Sequence, residues 1–163
     1  WFDWDLVKEH RNVFHFVKEL IRFRRETPGL RRTRFLSGEF TGSGWCPDIS
    51  WFNFDGSNVF DWHGPELPLA VLLSAQVDGQ KGNDMFLLFN PTGHPRVCKL
   101  PEDVTERKWR VFVDTACESP NDIFPDYDGP LLPKSGEVEL PHYSLRCYVT
   151  NASIGNAQET GKY

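Results

Sequence analysis

Carboxylates, histidines, thiols and tryptophans are the side chains of this 163-residue chain with chemistry to offer, and their spacing narrows what they can do. Hydrolysis by paired carboxylates needs two acids converging on one cleft. The acids here fall mostly in turns and no pair stands out, so no catalytic residue is assigned. Asp126-Tyr127-Asp128-Gly129 has the composition of the middle of a calcium loop. In that register Phe124 would take the first-ligand position and Ser135 the closing one, where an EF-hand requires acids. A looser site from Asp122, Asp126 and Asp128 is the weaker alternative to turn chemistry, and no metal or other cofactor is expected. His10, His15, His63, His94 and His142 show no zinc-protease spacing, and Ser144 in His-Tyr-Ser-Leu-Arg lacks the glycines of a nucleophile elbow. Cys46, Cys98, Cys117 and Cys147 form no C-x-x-C pair, which points to reduced thiols rather than a disulfide framework. Asn151-Ala152-Ser153 matches a glycosylation acceptor, a short pattern discounted beside reduced thiols.

Aromatic residues remain. Trp1, Trp4, Trp45, Trp51, Phe52, Phe54 and Trp62 concentrate in the first part of the chain. An exposed indole face can stack on the C–H surface of a sugar ring, and a buried one is core. Trp51, on a strand beside Ile49, is expected to be core. Trp1 and Trp4 lie in a loop ahead of a helix, where both readings stay open, and they are the candidate substrate-binding residues.

Those tryptophans are positioned by the one strongly helical stretch. Asp3 or Asp5 can cap its start, and Pro28 with Gly29 should stop it near Glu26. Val13, Phe14, Phe16, Val17, Leu20, Ile21 and Phe23 fan over roughly 200° of its circumference, wider than the stripe of an ordinary surface helix. Leu30–Phe40 is a connector with a short strand expected near Phe35 and Leu36. Beyond it the period falls to 2, with strands expected at Ile49–Phe54, Leu69–Ala75, Met85–Asn90, Arg96–Leu100, Trp109–Asp114, Glu137–Leu140 and Ser144–Thr150. Asp55-Gly56, Asp78-Gly79, Pro91 to Gly93 and Asp128-Gly129 mark turns between them, and Thr115–Gly136 reads as a long loop. Seven or eight short strands at this spacing indicate a mostly β chain, an antiparallel sandwich of Greek-key type or a barrel.

Charge is uneven. Up to Arg34 there are nine basic residues against five acidic, whereas the remainder carries nine basic and eighteen acidic, for a net of −5. Arginines at the end of the helix complement its dipole, and the acidic remainder excludes nucleic acid as the expected partner. No apolar run reaches the ~20 residues of a membrane span, so no membrane partner is expected either.

Trp-Phe-Asp-Trp, the helix ending Leu-Ile-Arg-Phe-Arg-Arg-Glu-Thr-Pro-Gly-Leu-Arg-Arg, Phe-Leu-Ser-Gly, Pro-Asp-Ile-Ser-Trp, Phe-Asp-Gly and Asp-Trp occur here in a telling order. Leu69–Leu73, Met-Phe-Leu-Leu-Phe-Asn-Pro at Met85–Pro91 and Trp-Arg-Val-Phe-Val-Asp-Thr-Ala at Trp109–Ala116 continue it. The order resembles the C-terminal part of isoamylase-type glycogen and starch debranching enzymes of the α-amylase superfamily, glycoside hydrolase family 13. Several places depart from the pattern: the elaborated Trp45–Cys46 region, Phe52-Asn53 after Trp51, and the Ser-Leu-Arg-Cys-Tyr-Val end.

The resemblance implies a parent enzyme that hydrolyses α-1,6 branch points of glycogen or amylopectin, with its catalytic carboxylates on upstream strands of a (β/α)8 barrel. On that reading residues 1–34 are the last loop and helix of the barrel plus a connector, residues 35–150 the β-sandwich, and residues 151–163 a flexible tail. The chain, which begins with Trp, is then expected to be an inactive part of a longer protein. Its partners would be the missing barrel of the same chain and, in the parent, an α-glucan. It would be intracellular, cytoplasmic in a bacterium or plastidic in a plant. Two other readings use the same residues: a carbohydrate-binding sandwich acting by aromatic stacking, and an interaction domain whose apolar helix face binds a partner or a second copy. On the debranching reading, part of the wide apolar arc is expected to be exposed, self-associated or disordered in the isolated chain.

Overall fold

The computed structural model describes residues 1, 3–40, 44–57, 68–75 and 82–150. Trp62, His63, Asp78-Gly79, the glycosylation match at Asn151 and the whole of the expected tail at 151–163 lie outside the described residues.

The helical stretch is two pieces, α1 (Leu6–Glu9) and α2 (Arg11–Glu26). They are interrupted at His10, whose ψ of 37° leaves the helical range. Neither Asp5 nor His10 caps with its side chain; Asp3 instead accepts from the Asp5 N–H at 2.9 Å. α2 ends as its composition requires. Thr27 is extended ahead of Pro28, and a single 3₁₀ turn (Pro28–Leu30) follows.

Seven strands follow among the described residues: β1 (Ile49–Phe52), β2 (Leu69–Leu73), β3 (Met85–Asn90), β4 (Arg96–Lys99), β5 (Trp109–Asp114), β6 (Glu137–Leu140) and β7 (Ser144–Thr150). Between β4 and β5 lies a short helix, α3 (Glu102–Thr105), that periodicity did not reveal. The expected strands at 49–54, 69–75 and 96–100 are trimmed at their C-terminal ends, and no strand forms at Phe35–Leu36; an isolated bridge joins Phe40 to Pro47 instead. All pairings are antiparallel, in a five-stranded sheet ordered β1-β2-β3-β7-β5 and a two-stranded sheet of β4 and β6. The fold is a β-sandwich. Consecutive strands build one side, then the chain alternates between sheets and inserts β7 between β3 and β5.

Two apolar clusters lie on opposite faces of the large sheet. Phe52, Ala70, Leu72, Phe86, Leu88, Trp109, Val111 and Tyr148 meet Cys98, Val138, Leu140 and Val104 between the sheets. Trp109 sits there fully buried, with its indole N–H donating to the Val104 carbonyl at 2.7 Å. On the other face Met85, Cys147, Val149, Phe112 and Val113 pack against Phe23, Phe16, Leu20 and Leu30 of the helical segment. The layers are therefore helix, large sheet, small sheet. This explains the unbroken apolar run Met85–Phe89: a strand covered on both sides has no polar face to show.

The large sheet departs from strict alternation at β5. Trp109, Val111 and Val113 do not share a face, because a bulge sets Val111 opposite Tyr148 and Val113 opposite Cys147. The extra residue lets both Phe112 and Val113 join the helix-side cluster. The outer edge of β5 is occupied by the 115–136 loop. Asp114 donates to Asp122, Phe124 to Phe112, Val111 to Pro130 and Leu132 to Trp109, all through the backbone at 2.8–3.1 Å. The edge is therefore covered rather than presented to another chain.

Candidate functional site

The helix α2 carries two faces. Phe23 is buried, Phe16 and Leu20 are half-buried, and all three point at the sheet. Phe23 stacks on Phe112 with ring centroids 4.1 Å apart. Rotated from this stripe by roughly 110° at 100° per residue, Val13, Phe14, Val17 and Ile21 stand exposed. Phe14, Val17 and Ile21 line a groove of about 750 Å³ along the helix, rimmed by Lys18, Arg22, Arg25 and Arg31 with Glu26 as its only acid. The wide apolar arc is thus half used within the chain, as its width implied, and the unused half is an apolar stripe with a cationic border.

α2 is held rigidly. Arg22 reaches the Glu19 carboxylate at 3.0 Å and donates to the Pro125 carbonyl at 3.0 Å, pinning the helix to the β5–β6 loop. Its exit is fixed by a buried carboxylate. Asp48 accepts from the Ser37 and Gly38 backbone N–H groups at 2.9 and 2.8 Å and pairs with Arg32 at 3.6 Å. Arg32 also donates to the Ser74 carbonyl at 2.6 Å, so one side chain joins the connector to the ends of two strands. Burial alone would raise the Asp48 pKa, but the donors from Ser37 and Gly38 and the Arg32 charge outweigh it and hold the carboxyl below its usual value.

Trp1 and Trp4 lie ahead of α1, both exposed. Leu6, also exposed, adds to the apolar surface there. Trp51 corrects an expectation. It is half-buried on edge strand β1, opposite Val71 on the face away from the inter-sheet core, while its neighbour Phe52 supplies the core contact. Period 2 decided the matter: in a strand only one of two adjacent aromatics can enter a given layer.

Asp122, Asp126 and Asp128 do not gather, and no three His, Cys, Asp or Glu side chains assemble as a metal site among the described residues. Asp114, the best-buried acid of β5, is committed to Arg146 across the β5–β7 pair at 2.6 and 2.7 Å. Cys46, Cys98 and Cys147 are buried, and burial pushes their thiols up to about 11, 12 and 12. Such thiols stay protonated and are poor nucleophiles.

A second concave region was not legible in the sequence. About 560 Å³ opens beside β1, lined by Phe40 and Trp45 from the connector side, Ser50 and Phe52 from β1, and Asp103 from α3. Nine of its eleven lining residues fall between Gly38 and Phe52, but no local pattern shows that Leu72 and Asp103 come to meet them.

No protein-family model matches the chain. Among curated proteins it is 32% identical over 127 residues to isoamylase 3, chloroplastic, of Oryza sativa subsp. japonica, an alignment covering 77% of this chain and 14% of that protein. It is 26% identical over 132 residues to isoamylase of Flavobacterium sp, covering 76% of this chain and 16% of the relative. The chain therefore spans about one seventh of the length of the curated relatives it matches. One relative is a plant protein and the other bacterial, and both are named isoamylase. The motif order and the alignments thus agree: over about three quarters of its length this chain is similar to proteins named isoamylase.

Proposed function

We propose that the chain is the non-catalytic C-terminal segment of a debranching enzyme that hydrolyses α-1,6 branch points of glycogen or amylopectin. In this reading the sandwich stabilises a catalytic barrel formed by residues upstream of Trp1. The observation that carries it is the exposed stripe Val13, Phe14, Val17 and Ile21 on a helix whose other face is already core. A helix apolar on two sides calls for a second body, and the relatives are several times longer than this chain. The barrel of the same protein is the occupant assigned to the stripe, and the catalytic carboxylates belong to that barrel. Trp1 and Trp4 would then border the glucan groove where the segment emerges from it. The compartment follows the source, plastid in a plant or cytoplasm in a bacterium.

Incubating the 163-residue chain with amylopectin and measuring reducing ends tests the non-catalytic part: no release is expected, and appreciable turnover overturns it. Ile21→Glu tests the packing part. It is expected to leave the melting of the isolated chain nearly unchanged and to lower that of the longer enzyme. Equal effects in the two proteins would refute a covered stripe.

A further inference from the structure

The cleft beside β1 is separate from the helix face and from Trp1 and Trp4. Its volume, about 560 Å³, lies within the roughly 300–1,000 Å³ of small-ligand sites. Its base is apolar, with Phe52, Leu72 and Cys46 all buried, and Phe40 is exposed at its mouth. Trp45 is fixed before any ligand arrives. Its indole N–H donates to Asp84 at 2.8 Å, and the Arg107 guanidinium carbon sits 3.8 Å from the ring centroid. Asp84 is itself held by the Ala75 N–H at 2.7 Å. A wall locked in this way loses little entropy when it is used for binding.

Polar groups at the cleft select the ligand class. Asp103 spends one carboxylate oxygen on the Val104 N–H, leaving the other to accept from a ligand, and the Ser50 hydroxyl both donates and accepts. Among the described residues no Lys, Arg or His lines the cleft, and Arg107, stacked on Trp45, is paired with Asp84 at 3.9 Å, so no cation faces a ligand there. The lining asks for a neutral molecule with an apolar face on one side and hydroxyl donors on the other. A pyranose ring has that form.

We infer that this cleft is a sugar-binding site, distinct from the catalytic groove of the parent, that holds a segment of α-glucan. The sugar C–H face lies against Phe40 and Trp45, and its hydroxyls donate to Asp103 and exchange hydrogen bonds with Ser50. The preference for an α-glucan rests on the debranching reading above; the cleft itself requires only a neutral sugar. The site would tether a branched polymer to the sandwich while chain ends move through the barrel.

Titration of the 163-residue chain with maltoheptaose by calorimetry, with cellohexaose in parallel, tests the inference. Saturable binding of maltoheptaose is expected. Asp103→Asn and Phe40→Ala should each weaken it by about tenfold, the scale of one charge-assisted hydrogen bond for the first and of one aromatic contact for the second. Tyr143→Ala, at an exposed aromatic that does not line the cleft, should leave it unchanged. Asp103 is exposed, so Asp103→Asn carries the test even where Phe40→Ala melts early. Absence of maltoheptaose binding, undiminished affinity in Asp103→Asn, or loss on Tyr143→Ala overturns the site. Equal affinity for cellohexaose overturns the α-glucan assignment. None of these outcomes bears on the debranching reading, which is tested separately by reducing-end release and by Ile21→Glu.

Discussion

Replacing Phe23 by Ala asks whether α2 is an integral layer of the sandwich or a pendant. Phe23 is 6% exposed, its ring stacks on Phe112 at 4.1 Å with planes 28° apart, and Tyr127 closes a second side at 6.4 Å. Truncating a buried Phe costs about 3–5 kcal/mol through lost transfer energy and the cavity left behind. The helix–sheet boundary can relax more readily than the inter-sheet core, which favours the lower end, about 3 kcal/mol. For a chain of this size each kcal/mol moves the midpoint by roughly 2–4 °C, so Tm should fall by roughly 6–12 °C. The measurement is urea unfolding followed by tryptophan fluorescence, with circular dichroism melting alongside. Ile21→Ala, two positions away on the exposed stripe at 55% exposure, is the control and should change stability by no more than about 0.5 kcal/mol. A Phe23→Ala effect as small as that of Ile21→Ala would refute the helix–sheet–sheet layering. So would a transition in which the helical signal melts apart from the rest.

Asp48→Ala removes the acceptor of two backbone N–H groups and an ion-pair partner of Arg32, and is expected to cost about 3 kcal/mol in urea unfolding, since each donor left without its acceptor costs about 1–3 kcal/mol. Because the folded pKa of Asp48 lies below its unfolded value, its contribution is fully present above about pH 4 and is lost as pH falls through the folded value; stability measured from pH 6 to pH 2 should therefore decline less steeply in Asp48→Ala than in the parent chain. Ellman's reagent at pH 8 should titrate only Cys117 in the native chain and all four thiols in denaturant, because the other three are buried; rapid native reaction of a second thiol would contradict the packing around Cys46, Cys98 or Cys147. Val17→Glu with Ile21→Glu should abolish any concentration dependence of the sedimentation coefficient, and a dimer that survives both changes would have to use another surface.

The parts of the fold that could be read beforehand share a physical trait: their two faces meet different environments. In β7, Leu145, Cys147 and Val149 face the helix while Tyr148 enters the inter-sheet core, and the alternation was visible in the residue types. The same logic failed in β5 after Val111, because its bulge is centred on Phe112 with no glycine or proline to announce it. The break at His10 went unread for a similar reason: His-Arg-Asn is compatible with helix, and only backbone geometry ends it there. Trp51 was misplaced because adjacent aromatics give no hint of which one faces inward. The cleft lined by Phe40, Trp45 and Asp103 depends on a chain path that brings α3 beside β1, and no periodicity carries that information. Trp1 and Trp4 are both exposed, and exposure alone does not separate a ligand platform from a docking surface.

The position of β7 bears on synthesis. It hydrogen-bonds to β3 on one side and β5 on the other, yet it leaves the ribosome after both. Asn90, the last residue of β3, precedes Ser144, its partner in β7, by 54 positions. At the usual pace of about 5–20 residues per second, the emerging chain waits roughly 3–11 s with one edge of β3 unpaired. Throughout that interval the apolar run Met85–Phe89 is open on the side where β7 will sit, and it could pair with the same run on a neighbouring nascent chain. A stop codon anywhere before Ser144 would make the exposure permanent, since it removes the strand that joins the two halves of the sheet. Slow codons between β3 and β7 should therefore lower the soluble yield of this protein more than slow codons placed ahead of β1.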